Sequence, residues 1–203
     1  MFTGIVQGTA KIVDIEQKES IRTIFIDLPN VELLEIGASV SIDGVCLTAT
    51  EINDGIVSFD IIQETLSRST LGDLEEGGVV NFERSLKFGD EIGGHLLSGH
   101  IIATGLVKDK VETGEGLDLS ILMPLSIEKY IMEKGYVAID GISLTIGKVD
   151  DLRFNLHIIP ETIRQTKINS KQVGDAVNIE IDSMTQTIVS TVERLTGKVS
   201  DVI

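Results

Sequence analysis

Apolar residues recur at every second position through most of the chain, the signature of strands with one buried face. In the first hundred residues the short β-branched runs cover 5–13, 21–28, 39–43, 47–52, 56–61 and 79–83. Gly, Asn and Asp separate them, and Asn53-Asp54-Gly55 is a hairpin turn signal. Six short strands leave exposed edges unless the sheet closes, so the pattern predicts a Greek-key barrel, with one small helix at 31–36. Near the C-terminus the period becomes helical: over 185–195, Ile188, Val189, Val192 and Leu195 form one apolar stripe. That stripe needs a partner, a barrel or another subunit.

The chain is written twice. Ile42-Asp43-Gly44-Val45-Cys46-Leu47-Thr48 returns as Ile139-Asp140-Gly141-Ile142-Ser143-Leu144-Thr145, 97 residues on. At the same offset Ile61-Ile62-Gln63-Glu64-Thr65 returns as Ile158-Ile159-Pro160-Glu161-Thr162, and Val80-Asn81-Phe82-Glu83 as Val177-Asn178-Ile179-Glu180. Upstream the offset is 95: Thr3-Gly4 matches Ser98-Gly99, Thr9 matches Thr104 and Pro29 matches Pro124. A constant register on each side of one two-residue indel marks a tandem duplication. The expected fold class is all-β, two tandem six-stranded Greek-key barrels plus a C-terminal α-helix. The divisions expected are 1–95 for the first barrel, 96–184 for the second and 185–203 for the helix, with the second unit's small helix at 126–134.

Composition removes several function classes. Seventeen Lys and Arg against 32 Asp and Glu leave a net charge of -15, which repels phosphate backbones and anionic lipid headgroups. Six Phe, two Tyr and no Trp give few rings for base stacking, so neither nucleic acid nor a membrane is an expected partner. No apolar run approaches the roughly 20 residues of a spanning helix. The opening Met1 to Gly8 lacks the basic and apolar regions of a signal peptide. One cysteine makes no internal disulfide, and three scattered histidines lack zinc-ligand spacing. These features predict a reduced, cytoplasmic protein without a structural metal. Gly77-Gly78 and Gly93-Gly94 read as turns, and no phosphate loop or dinucleotide fingerprint is present.

The candidate chemistry sits where the two copies differ. Cys46 sits where the second copy has Ser143. It is either a buried small hydrophobe or a nucleophile or proton acceptor at a strand start, beside a glycine that admits a ligand. His100 replaces Ile5, and is either a structural histidine or a titratable group added to one copy. His95 and His100 flank the junction, but no third ligand lies near enough in sequence for a metal. Glu64-Thr65 and Glu161-Thr162 sit at matched strand ends, placed to bond a polar ligand or to cap a turn. Asp182 has Ser85 as its mate, another place where the copies part.

Several of these motifs together resemble the riboflavin synthase family. The residues are the opening Met1 to Val6, Gly44 to Thr48, Gly93 to His100, Ile139 to Thr145, Ile159 to Thr162 and Asn178 to Asp182, in order and spanning essentially the whole chain. The resemblance implies two lumazine-binding barrels and a C-terminal helix that assembles a homotrimer. It implies a transferase of riboflavin biosynthesis: two molecules of 6,7-dimethyl-8-ribityllumazine dismutate, one giving a four-carbon unit to the other, to yield riboflavin and 5-amino-6-ribitylamino-uracil. No metal or redox cofactor is implied, and the neutral, phosphate-free ligand agrees with the missing phosphate loop. The productive site would lie between the first barrel of one subunit and the second barrel of its neighbour.

The resemblance also implies roles. Proton loss at the lumazine C7 methyl and attack at C7 fall to Cys46, His100, Ser39, Ser143, Thr145 and Asp182, with His100 the proton carrier near neutrality. Main-chain groups at Gly4, Ile5 and Val6, at Cys46, Leu47 and Thr48, at Gly99, His100 and Ile101, and at Ser143, Leu144 and Thr145 would read the pyrimidine edge. Asp60, Ile61, Ile62, Gln63, Glu64 and Thr65, with Lys134 and with His157, Ile158, Ile159, Pro160, Glu161 and Thr162, would complete the pockets and hold the ribityl chain. The family often carries two cysteines before Leu-Thr; here the first is Val45 and the second is Cys46. Lumazine proteins and yellow fluorescent proteins share the implied fold without catalysis, so a non-catalytic lumazine- or flavin-binding antenna is the alternative. A ligand-free structural barrel is the third class. Association with lumazine synthase is a further possible partnership.

Overall fold

A computed structural model describes residues 1–200; the last three positions of the expected 185–203 segment lie outside the described residues. In the first unit β1 (Gly8–Gln17), β2 (Ile21–Asp27), β3 (Ser39–Ile42), β4 (Val45–Asn53), β5 (Ile56–Ile62) and β6 (Val79–Arg84) close antiparallel in the order β1-β2-β5-β4-β3-β6. In the second, β7 (Ala103–Thr113), β8 (Gly116–Leu122), β9 (Tyr136–Ile139), β10 (Ile142–Asp150), β11 (Arg153–Ile158) and β12 (Ala176–Ile181) close in the corresponding order. Strand alternation decides which residues fill each barrel. Along β4, Val45, Leu47 and Ala49 are buried while Cys46 and Thr48 turn outward. Ile12, Ile24, Ile26, Val40, Phe59 and Ile61 are completely buried in the first core. Each such side chain is worth about 1.5–3 kcal/mol relative to an exposed one.

The repeated motifs turn out to join the barrels to each other. Asp43-Gly44 and Asp140-Gly141 are two-residue hairpin turns, with Ile42 paired to Val45 and Ile139 to Ile142. All four turn residues have positive φ, between 45° and 84°, as the hairpin twist requires. The turns meet tip to tip: a Cβ on Gly44 would stand 2.7 Å from the Gly141 nitrogen. The close approach expected for a ligand beside Gly44 is therefore occupied by the other hairpin. Asn81 Nδ2 donates to the Asp140 carbonyl at 2.9 Å, and Asn178 Nδ2 to the Asp43 carbonyl at 2.8 Å. Lys167 pairs with the fully buried Asp43, and Lys171 with Asp140 at 3.0 Å. Burial pushes the Asp43 carboxyl up to about 6, against the opposing pull of Lys167.

Ahead of each barrel runs an arm that serves the other. Phe2 and Leu97, repeat mates, pair as an antiparallel bridge and are buried together with Ala138. Glu83 accepts from Thr3 N–H and Oγ1, at 2.6 and 2.7 Å, and from Gly4 N–H. Glu180 does the same for Ser98 and Gly99. Burial pushes both carboxyls up, and the arm's donors pull them back. Past its glutamate each arm crosses over: the Ser143 N–H donates to the Gly4 carbonyl at 2.8 Å, and the Cys46 N–H to the Gly99 carbonyl at 2.9 Å.

Helices are where the structure departs from the sequence reading. Residues 31–36 form turns, not a helix, and the expected helix at 126–134 is a 3-10 turn over Leu125–Tyr130. The short helices are instead α1 (Gln63–Arg68) and α2 (Pro160–Gln165), so the Glu-Thr pairs stand in first helical turns rather than at strand ends. The strand expected from residue 5 starts at Gly8, because Ile5 to Gln7 belong to the crossing arm. The terminal helix α3 (Ser183–Ser200) begins two residues before 185, with Asp182 accepting from Thr185 N–H at 2.9 Å and Oγ1 at 2.7 Å. It touches the second barrel through Tyr130 and Ser190, 3.0 Å apart. Met184, Ile188, Val192 and Leu195 remain more than half exposed along one face. Among the described residues no helix is long and apolar enough to cross a membrane.

Candidate functional site

The crossing arms build two matched cavities. The first, of about 280 Å3, is lined by Val45, Cys46, Glu64, Thr65, Arg68, Ser69, Gly99, His100 and Ile101. The second, of about 210 Å3, is lined by Ile142, Ser143, Glu161, Thr162, Gln165, Thr166, Gly4, Ile5 and Val6, with Ile159 in addition. Position by position the nine residues of the first cavity are the repeat mates of nine in the second. Each cavity thus has a strand-and-helix wall from its own barrel and an arm from the other. The chemistry differs at three mated positions: Cys46 against Ser143, His100 against Ile5, and Arg68 against Gln165.

On the helix wall, Glu64 accepts from Arg68 Nε at 3.1 Å inside the first cavity. In the second, Glu161 is bonded by Gln165 at 3.1 Å and by Arg164, which lies outside the lining. The hydrogen bonds from Arg164 and Gln165 hold the Glu161 carboxyl below the usual carboxylate range. On the strand wall, Ser143 Oγ lies 2.7 Å from His95 Nδ1, and the His95 ring stacks on Tyr136 with centroids 5.1 Å apart. His95 is buried, and its Nε2 has no hydrogen-bond partner among the described residues. Burial holds this imidazole below its ordinary value, the charge of Asp182 opposing. Burial also raises the Asp182 carboxyl, but the donors of Thr185 outweigh it and leave the group low. A neutral imidazole against a serine hydroxyl is a base placed to take that hydroxyl's proton.

From each cavity a polar row runs outward over the barrel. In the first barrel Ser39 pairs with Thr48, one residue on from the Ala49–Phe59 pair stand Thr48 and Asp60, and Asp60 pairs with Thr23. Thr23 Oγ1 donates to Asp60 Oδ1 at 2.7 Å. The mates in the second barrel are Tyr136, Thr145, His157 and Asp118. There His157 Nδ1 lies 2.7 Å from Asp118 Oδ1. Cys46 and Ile62 flank the first row's start, and Ser143 and Ile159 the second's.

The structure therefore gathers Cys46, Glu64, Thr65, Gly99, His100 and Ile101 at one cavity, and Gly4, Ile5, Val6, Ser143, Ile159, Glu161 and Thr162 at the other. Ser39, Thr48 and Asp60, and Thr145 and His157, lie on the adjoining rows. Ile62 ends β5, and Gln63 and Pro160 open the two short helices. Leu47, Ile61, Leu144 and Ile158 point into the barrel cores, so their side chains are unavailable to a ligand and only their main chain can serve it. Lys134 stands in the turn before β9 and is not among the residues lining either cavity, and Asp182 caps α3. Arg68, Ser69, Gln165 and Thr166 were not anticipated, although Glu-Thr followed by polar residues four positions on is the spacing of one helix face. His95 was weighed only against a metal; having no repeat mate, it gave no comparison. Among the described residues no group of three or more His, Cys, Asp or Glu side chains comes together as a metal site would need.

Comparison with known proteins follows the same division. The family model of the lumazine binding domain matches residues 3–85 and 98–182. A riboflavin synthase of Escherichia coli (strain K12) is 52% identical over 198 residues, covering 96% of this chain and 93% of that protein. One of Chlamydia pneumoniae is 41% identical over 200 residues, covering 96% of each. Among solved structures, LumP complexed with riboflavin superposes with a TM-score of 0.85 at 28% identity, covering 90% of this chain and 100% of that one. LumP complexed with 6,7-dimethyl-8-(1'-D-ribityl) lumazine gives 0.82 at 27% identity, with the same coverage.

Proposed function

The chain belongs to the riboflavin synthase family, whose lumazine-binding domain it carries twice, and from that premise we propose how its two cavities carry out the dismutation. The activity is conversion of two molecules of 6,7-dimethyl-8-ribityllumazine into riboflavin and 5-amino-6-ribitylamino-uracil. One lumazine ring enters each cavity, and its ribityl chain follows the polar row outside. The observation that carries this reading is the pair of cavities built from mated positions yet differing at Cys46 and Ser143 and at His100 and Ile5. Identical lining positions suit identical rings, and the differing side chains suit opposite roles.

In this reading His100, exposed at the mouth of the first cavity, accepts the C7 methyl proton of a lumazine. Cys46 lies beside it as nucleophile or second acceptor. Ser143, with its proton drawn toward His95, adds to C7 of the other molecule, while Asp182 supports the imidazolium that forms. Thr145, Ser39, Thr48 and Asp60 bond the polyol. Each cavity opens to solvent in the single chain, and α3 carries an uncovered apolar face. Both features favour a homotrimer in which the first cavity of one subunit closes on the second cavity of its neighbour. A cytoplasmic location and an association with lumazine synthase belong to the same proposal.

The resemblance to LumP keeps the antenna reading in view, since that protein is solved with flavin and lumazine bound. One experiment separates the two. Pure protein is incubated with the lumazine alone, and the absorbance and fluorescence of riboflavin are followed. Steady accumulation of riboflavin beyond one equivalent per chain supports the enzyme; a stable lumazine complex without conversion supports the antenna.

A further inference from the structure

The outer row of the second barrel ends in a pair of which the family resemblance implies only His157 for the ligand, leaving Asp118 without a role. Asp118 on β8 and His157 on β11 face each other in register, 2.7 Å apart from Oδ1 to Nδ1. A carboxylate only accepts hydrogen bonds, so Nδ1 carries a proton, and in the neutral imidazole Nε2 is then the acceptor. Nε2 lies over the outer face of β10 at Gly147, where a Cβ would approach it to 3.2 Å, and it has no hydrogen-bond partner among the described residues. Thr145 stands on the same strand, beside His157.

The mated pair in the first barrel reaches the same result with different parts. There Asp60 occupies the His157 position, and the hydroxyl of Thr23 occupies that of Asp118. Thr23 donates to Oδ1 of Asp60, leaving Oδ2 as the acceptor. Both barrels therefore present one held acceptor at the same point of the row, next to a threonine. A hydroxyl donates to such a group, and a chain of hydroxyls leaving the cavity would pass it.

We propose that Asp118 is a positioning residue for ligand specificity: it fixes His157 in the tautomer whose Nε2 accepts a hydroxyl proton from the polyol of the ligand in the second cavity. The inference rests on reading that cavity as a lumazine site. It predicts a contribution to ligand grip, not to the chemical step, and only for ligands that carry the polyol.

The test measures KM and kcat for 6,7-dimethyl-8-ribityllumazine, and the inhibition constant of 6,7,8-trimethyllumazine, which has the ring without the polyol. Asp118→Ala should raise KM about three- to tenfold, the range of one neutral hydrogen bond, with kcat within about twofold. The inhibition constant of the trimethyl compound should stay unchanged. Asp118→Asn, which keeps an oxygen for the Nδ1 proton, should restore KM to near the parent value. The inference is overturned if Asp118→Ala leaves KM unchanged, if both ligands weaken equally, or if Asp118→Asn is no better than Asp118→Ala. Thermal unfolding of each variant shows that it is folded when assayed, and Asp118→Val, which suits a strand and has no acceptor, takes the place of the alanine variant if that one is not. A parent that fails to make riboflavin refutes the enzymatic reading instead, which separates the two failures.

Discussion

Gly99→Ala tests whether the crossing arm makes the first cavity. Gly99 has φ +79°, and a Cβ placed there would lie 2.6 Å from Cys46 Cβ and 2.8 Å from the Cys46 nitrogen. An alanine at positive φ costs about 1–2 kcal/mol. Carbon atoms settle at roughly 3.5–4.0 Å, so the arm must retreat by about 1 Å. That breaks the 2.9 Å bond from the Cys46 N–H to the Gly99 carbonyl, worth about 1 kcal/mol. The total is about 2–3 kcal/mol, which a domain with about 5–15 kcal/mol of stability survives. Because His100 and Ile101 travel with Gly99, affinity at the first cavity should fall at least about tenfold, roughly 1.4 kcal/mol, while the second cavity keeps its affinity. Denaturant unfolding measures the first quantity, and lumazine or riboflavin titration, resolved into two sites per chain, the second. Gly37→Ala is the control: its φ is +91° but no atom lies within 4 Å of the added Cβ, so it carries the backbone cost alone. Should Gly99→Ala lose no more stability than Gly37→Ala and keep both sites, the arm is not a wall of the cavity.

Three further outcomes are expected. Lys167→Met leaves Asp43 buried without its cation, which should cost about 3 kcal/mol near neutral pH; because the folded carboxyl already sits at about 6, above its unfolded value, that cost should shrink as pH falls through 6 and the group protonates, and an equal penalty in denaturant melts on both sides of that pH would refute the charge-pair account. Cys46→Ala should slow riboflavin formation at least about tenfold, roughly 1.4 kcal/mol of barrier, with Cys46→Ser between it and the parent; unchanged turnover returns the residue to packing. A fragment of residues 1–95 lacks Gly99 to Ile101, so it should bind lumazine only when two copies pair and lend each other Gly4 to Val6; sedimentation beside ligand titration over a dilution series decides this, and tight binding by the monomer refutes it.

The barrels were legible in the sequence because their signal is local. Period-two alternation with β-branched residues fixes which side of β4 or β5 is buried, and Asn53-Asp54-Gly55 is a turn in any context. The short helices were not legible: six residues such as Gln63 to Arg68 hold too few turns to show a 3.6-residue period, and Ile61-Ile62 before them reads as continuing strand. At 31–36 an apolar spacing suggested a helix, but Asn30 and Leu33 adopt positive φ and bend the chain into turns. Part of what the repeat singled out serves another purpose. Asp43-Gly44 and Asn81 recur in the second copy and, in the structure, join the barrels; Glu83 and Glu180 recur and hold the arms. The pairing of Ser143 with His95 joins residues 48 apart through an arm, and no pattern within one unit encodes that.

The same arrangement explains where the copies are free to differ. Each arm leaves its own barrel through a buried glutamate and docks on the other, so the geometry at one end is tied to the geometry at its mate. Gly4 and Gly99 are both held to glycine, by their positive φ and by Ser143 and Cys46 standing where a Cβ would go. The paired hairpins need glycine on both sides for the same steric reason. A change at Gly4 or Gly99 would push an arm off the wall it docks on, whereas a change from Cys46 to a serine-like group, or from Ile5 to an imidazole, alters one cavity's chemistry without moving its walls. Divergence is thereby channelled into side chains that line the cavities. A dismutation asks for that combination, because its two reactants have one shape and must be driven in opposite directions.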